Sequence, residues 1–132
     1  MLRGDGGPFG AVVVREGAVV GRGCNRVLLA KDPTAHAEIV AIRAASSLLG
    51  TFHLPDCTLY ATCEPCPMCV GAIQWARIGR VVYALTREDA ARIGFRDAEF
   101  HAGATVPMQQ LHCAAAEEAF RLWESREDRR GY

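Results

Sequence analysis

With 132 residues, 50% of them hydrophobic and 23% charged, the chain is sized for one domain, residues 1–132, with a core of its own and no room for two. Fifteen basic side chains balance fifteen acidic ones, which argues against a strongly charged nucleic-acid binder and gives no sign of disorder. No apolar run reaches the roughly 18 residues that cross a bilayer, and the opening MLRGDGGPFG lacks the apolar core of a signal peptide; a soluble, cytoplasmic protein with no membrane role is expected.

In chain order, FGAVVV (9–14) and AVVGRGCNRV (18–27) are valine-rich and separated by REG, which predicts a β-hairpin. Asp32-Pro33-Thr34 offers a helix start, with Pro33 early and Thr34 as the capping candidate. AHAEIVAIRAASSLLG follows, with apolar Ile39, Val40 and Ile42, and Gly50 to end it. CTLYAT (57–62) reads as a short strand, and CPMCVGAIQWARIG as a helix running up to Gly79. RVVYAL (80–85) is nearly all apolar, the form of a strand covered on both faces. A short helix around REDAARIG, an irregular stretch through GATVP, a strand near MQQLHC and a closing helix over AAAEEAFRLWESRED complete the series. This alternation predicts an α/β fold, one mixed central sheet of about five strands with helices on both faces. The five residues before Gly6 are too few for a helix over that edge of the sheet.

Three of the six cysteines crowd into CEPCPMC, residues 63–69. In a reducing compartment such a cluster reads as metal ligands rather than disulfides. Cys66 and Cys69, three residues apart at a helix start, can grip one ion, and the unpaired amides there favour their thiolates. His36 in AHAE supplies an imidazole. Two thiolates and a neutral imidazole suit Zn²⁺, and three protein ligands leave a tetrahedral ion one position for water. Cys63 would close that position and make the ion structural; it precedes the Glu64-Pro65 bend at a strand end, which separates it from the turn carrying Cys66 and Cys69. Glu38 points the same way. A first-turn acid on a helix is ordinarily there for the dipole, but beside a metal ligand it can take a proton from the activated water and deliver it to a leaving group.

The pair HAE and PCPMC resembles the H-x-E…P-C-x-x-C signature of the zinc-dependent nucleobase deaminases, whose three-layer α/β/α, cytidine-deaminase-like fold it therefore implies. Within them GGPFGAVVV, DPTAHAE, CEPCPMCVGAI, WAR, GF with Asp97, and the ending FRLW with Tyr132 resemble the bacterial guanine deaminases. The resemblance implies one zinc per subunit on His36, Cys66 and Cys69, with Glu38 as proton shuttle. It also implies that Asn25 hydrogen-bonds the base, Phe9 and Trp75 wall the pocket, and Asp97 and Tyr132 recognise the purine. The implied reaction is hydrolysis of guanine at C2 to xanthine and ammonia, in a homodimer able to exchange its C-terminal segments. Arg96, beside Asp97, and the short segment between Phe100 and Val106 depart from that pattern.

The tRNA adenosine deaminases share DPTAHAE and EPC-x-MC-x-GA with this chain, and the balanced charge speaks against that reading. Two more readings fit the same ligands: deamination of free cytosine or of guanosine, and a non-catalytic zinc module that binds partners. His53, His101 and His112 have no useful partner spacing, and Cys24, Cys57 and Cys113 lie in or beside strands, where buried free thiols are common.

Overall fold

The computed structural model of the chain describes residues 6–95 and Ser125. Strands β1 (Gly10–Arg15) and β2 (Ala18–Cys24) form the expected antiparallel hairpin. Its two-residue turn places Glu16 at φ 50° and Gly17 at φ 79°, the twist-matched left-handed pair of a tight hairpin. The second strand stops at Cys24, short of the predicted Val27, because Asn25 turns the chain: its Oδ1 accepts from the Val27 N–H at 3.2 Å and starts the one-turn helix α1 (Val27–Ala30).

Helix α2 (Ala37–Leu49) begins later than Thr34. Thr34 does not cap it. Instead Asp32 Oδ1 accepts from the Thr34 N–H at 2.8 Å and from its hydroxyl at 2.7 Å, closing a turn before the helix and leaving His36 as the N-cap residue. Gly50, left-handed at φ 65°, ends α2 as expected. The buried residues Ala37, Ala41 and Ala45, four apart, form the stripe that faces the sheet. They meet Gly21 and Gly23 of β2, where a Cβ on Gly23 would lie 2.1 Å from the Ala37 carbonyl oxygen and one on Gly21 2.3 Å from that of Ala41. Small residues on both surfaces therefore seat the helix backbone directly on the strand.

Strand β3 (Cys57–Cys63) pairs antiparallel with β1, and β4 (Arg80–Leu85) pairs parallel with β3 after the crossover helix α3 (Pro67–Trp75). The order is β2-β1-β3-β4, a mixed sheet of four strands among the described residues against the five expected; the predicted strand near 108–113 lies outside them. Helix α3 ends at Trp75 rather than running to Gly79. Arg77 turns left-handed (φ 55°), its N–H bonds to the Gln74 carbonyl and that of Ile78 to the Ile73 carbonyl, a paired closure that sequence shows only when glycine marks it. The core joins Val13, Leu59, Cys57, Leu54, Ala61 and Ile73 to the alanine stripe of α2.

Among the described residues, β4 is not covered on both faces. Tyr83 is 47% and Leu85 55% exposed, and β4 bonds only to β3 among the described residues; an apolar run does not tell what covers a strand's faces. Cys57 is buried as expected, whereas Cys24 is exposed at the end of β2. Helix α4 (Arg87–Arg92) follows β4, capped by a reciprocal pair in which Thr86 Oγ1 accepts from the Asp89 N–H and Asp89 accepts from the Thr86 N–H.

Candidate metal centre and base pocket

Two helix starts converge to make the site. His36 is the N-cap of α2 and Cys66 that of α3, both in extended geometry (ψ 156° and 167°), and neither side chain makes a capping hydrogen bond. Pro67 at the first helical position fixes the entry of α3, and Cys69 projects one turn further along. His36 Nδ1 lies 3.6 Å from Cys66 Sγ and 3.7 Å from Cys69 Sγ, and the three donor atoms all fall within 4.8 Å of one another. A tetrahedral zinc about 2.0 Å from nitrogen and about 2.3 Å from sulfur would hold such donors about 3.6 Å apart, so the trio fits that ion.

The three groups share protons with one another. The Cys66 thiol is pushed down to about 4, first by the hydrogen bond from Cys69 and, against the cost of burial, by that of His36. Cys69 is pushed up because it keeps the proton that serves Cys66, and because it is buried. His36 is raised, chiefly by its bond to the Cys66 sulfur. A divalent cation replaces these shared protons with a stronger positive charge, to which both sulfurs can bind as thiolates.

Glu38, second residue of α2, is 7% exposed, and burial raises its carboxyl above the ordinary carboxylate range, with the Cys66 thiolate adding to the effect. It opens on a cavity of about 700 Å³ that His36 and Cys66 also line, together with Phe9 and Asn25. Asn25 is buried, its N–H donates to the Phe9 carbonyl at 3.0 Å, and its Oδ1 is engaged by Val27; the amide's two N–H donors are what remain for a ligand. A Cβ on Gly6 would fall 2.2 Å from that Oδ1, so the Gly6 backbone closes over the amide.

Cys63 stays apart from the trio. It ends β3, is buried, and its thiol donates to the Thr86 carbonyl at 3.3 Å. Trp75 is not among the described residues that line the cavity: it ends α3, 65% exposed, and the nine residues from Cys66 carry it about 13 Å along the helix axis from that ligand. Asp97 and Tyr132 lie outside the described residues, as do Cys113, His101 and His112; His53 is exposed.

Two features escape sequence reasoning. Glu64 accepts from the Arg87 N–H at 3.3 Å and pairs with its Nε at 3.2 Å, while the Glu64 N–H bonds the Leu85 carbonyl at 2.8 Å; these bonds tie the segment before Cys66 to the start of α4. Phe95, just past α4, lines the same cavity. The Gly94-Phe95 pair belongs to the strings that carry the family resemblance, but that resemblance gives Phe95 no role.

The pattern of the cytidine and deoxycytidylate deaminase zinc-binding region matches residues 3–85. Guanine deaminase of Bacillus subtilis (strain 168) is 44% identical over 136 residues, covering 98% of this chain and 87% of that protein. Its crystal structure superposes with a TM-score of 0.93 at 43% identity over 99% of this chain and 88% of that one. Guanine deaminase from Nitrosomonas europaea matches with a TM-score of 0.69 at 36% identity, over 74% of this chain and 57% of that one. A relative at 36% identity has been solved with 8-azaguanine bound. The tRNA-specific adenosine deaminase of Agrobacterium fabrum is 51% identical, over 58% of this chain and 50% of its own length.

Proposed function

Because this chain belongs to the cytidine and deoxycytidylate deaminase zinc-binding family, and because a buried glutamate shares one cavity with its metal trio, we propose that it hydrolyses guanine to xanthine and ammonia. The observation that carries the chemistry is the placement of Glu38 beside His36, Cys66 and Cys69, with no fourth protein ligand among the described residues. What favours guanine over other bases is the full-length likeness to a guanine deaminase, which extends well past the shared zinc segment.

His36, Cys66 and Cys69 would hold the zinc, which when bound would supply Lewis acidity for activating water. Glu38 would take a proton from the attacking water and give it to the departing exocyclic amine of C2; guanine and water thus balance xanthine and ammonia. Burial suits the role, since it raises the carboxyl and so makes it the better proton acceptor. Asn25 presents its amide N–H groups to the edge of the base, and Phe9 covers part of the base's face. Asp97 and Tyr132 recognise the purine, a role resting on the sequence resemblance. We further take the protein to be a cytoplasmic homodimer, supported by half-exposed Tyr83 and Leu85 on β4, which a second copy would cover; a monomeric mass in light scattering would count against this.

The second reading is editing of adenosine in a tRNA anticodon, favoured by the high identity over 76 residues to a tRNA-specific adenosine deaminase. Equal numbers of basic and acidic side chains speak against it. Ammonia release from guanine, adenine, cytosine, guanosine and an anticodon hairpin separates the two. Guanine is expected to be the preferred substrate, and preference for the hairpin would transfer the assignment to tRNA.

A further inference from the structure

Phe95 stands where helix α4 hands the chain back toward the metal centre. The helix ends in a paired closure: the Gly94 N–H bonds the Ala91 carbonyl and the Phe95 N–H bonds the Ala90 carbonyl, each at 3.1 Å, with Gly94 left-handed at φ 95°. Its start is tied to the segment before Cys66 by Glu64–Arg87 and by the Cys63 thiol on the Thr86 carbonyl. The position of Phe95 is thereby referred to the same loop that carries a metal ligand.

The Phe95 ring meets that of Phe9 at a centroid distance of 4.8 Å and an interplanar angle of 85°. Both rings rest on Gly7, where a Cβ would lie 2.8 Å from Phe95 Cζ and 2.9 Å from Phe9 Cε2. Yet Phe95 remains 44% exposed and lines the cavity that Glu38 and Asn25 share. An aromatic ring fixed along one edge, with much of its surface left over a largely apolar cavity that holds a few polar groups, is shaped to be covered by something flat.

We propose that Phe95 is a substrate-contacting residue: with Phe9 it forms a right-angled aromatic corner that holds the flat base, one ring against its face and the other against its edge. The inference rests on the nucleobase reading above and adds a residue to it. A two-ring purine reaches both walls of such a corner better than a one-ring pyrimidine, so Phe95 contributes to selection between them.

The test measures 8-azaguanine binding by equilibrium dialysis and guanine turnover for the zinc-loaded wild type, Phe95→Ala, Phe95→Leu and Phe95→Tyr. Losing one aromatic contact with a base weakens binding by about tenfold. Phe95→Ala and Phe95→Leu should raise both the Kd for 8-azaguanine and the KM for guanine by about that factor, with kcat and zinc content near wild type, and Phe95→Tyr should restore binding. Unchanged Kd and KM in a folded, zinc-loaded Phe95→Leu protein would overturn the proposal, as would parallel loss of zinc and kcat without a change in KM. A wild type that binds 8-azaguanine but leaves guanine intact would reject the guanine reaction, while the Kd ratios still decide Phe95.

Discussion

His36 and Cys66 are both the last extended residues before a helix, and neither spends its side chain on capping. An imidazole and a thiolate are thereby aimed at a common point beside two positive helix ends. That much is written in the spacing of HAE and PCPMC, because ligands within a turn of a helix start have little freedom in where they project. Glu38 has the sharpest consequence. Replacing it with Gln keeps the shape and burial but removes the proton acceptor, so kcat on guanine should fall by about 10²–10⁴-fold while metal analysis still finds one zinc per chain. Turnover retained in Glu38→Gln would remove the shuttle role. Trp75 shows the limit of reading by residue type: a tryptophan beside a zinc motif looks like a pocket wall, but it ends α3 away from the described lining of the cavity, and it stands 65% exposed.

Among the elements, the contact between α2 and β2 decides where His36 and Glu38 sit. Alanine ordinarily stabilises a strand relative to glycine. At Gly23 the sign reverses, because the added methyl would meet the Ala37 carbonyl oxygen at 2.1 Å and the Ala41 nitrogen at 2.6 Å, both backbone atoms of α2. Gly23→Ala should destabilise the fold by about 1–3 kcal/mol in urea unfolding and, by moving Ala37, speed zinc release to a chelator. Stability at or above wild type would mean that the helix is not seated as described. The elements themselves were mostly legible: the hairpin, α2, β3, β4 and α4 all stand near their expected places, since valine-rich runs, Gly50 and the prolines punctuate them. Their ends were less so. Thr34 yielded the cap to His36 because Asp32 claimed it first, and α3 closed early through Arg77, a residue that gives no warning of a left-handed turn.

At the scale of the molecule, the sheet brings together residues that sequence distance keeps apart. The β3–β4 pairing sets Cys63 and Glu64 beside Leu85, Thr86 and Arg87, so the metal loop and α4 share one clasp. Phe95 enters the pocket through that clasp; the string GF is part of the family resemblance, but nothing local to it places the ring at the cavity. The openness of β4 was equally hidden, because its apolar content says nothing about what lies alongside. The proposed reaction needs a zinc ion held by His36, Cys66 and Cys69, in a cavity where Glu38 would move the proton. Xanthine formation from guanine, followed before and after zinc is stripped by a chelator and then restored, tests this most directly. Turnover that disappears with the zinc and returns with it is the predicted result; a zinc-loaded, folded protein that leaves guanine unchanged, or a stripped one that still produces xanthine, would contradict it.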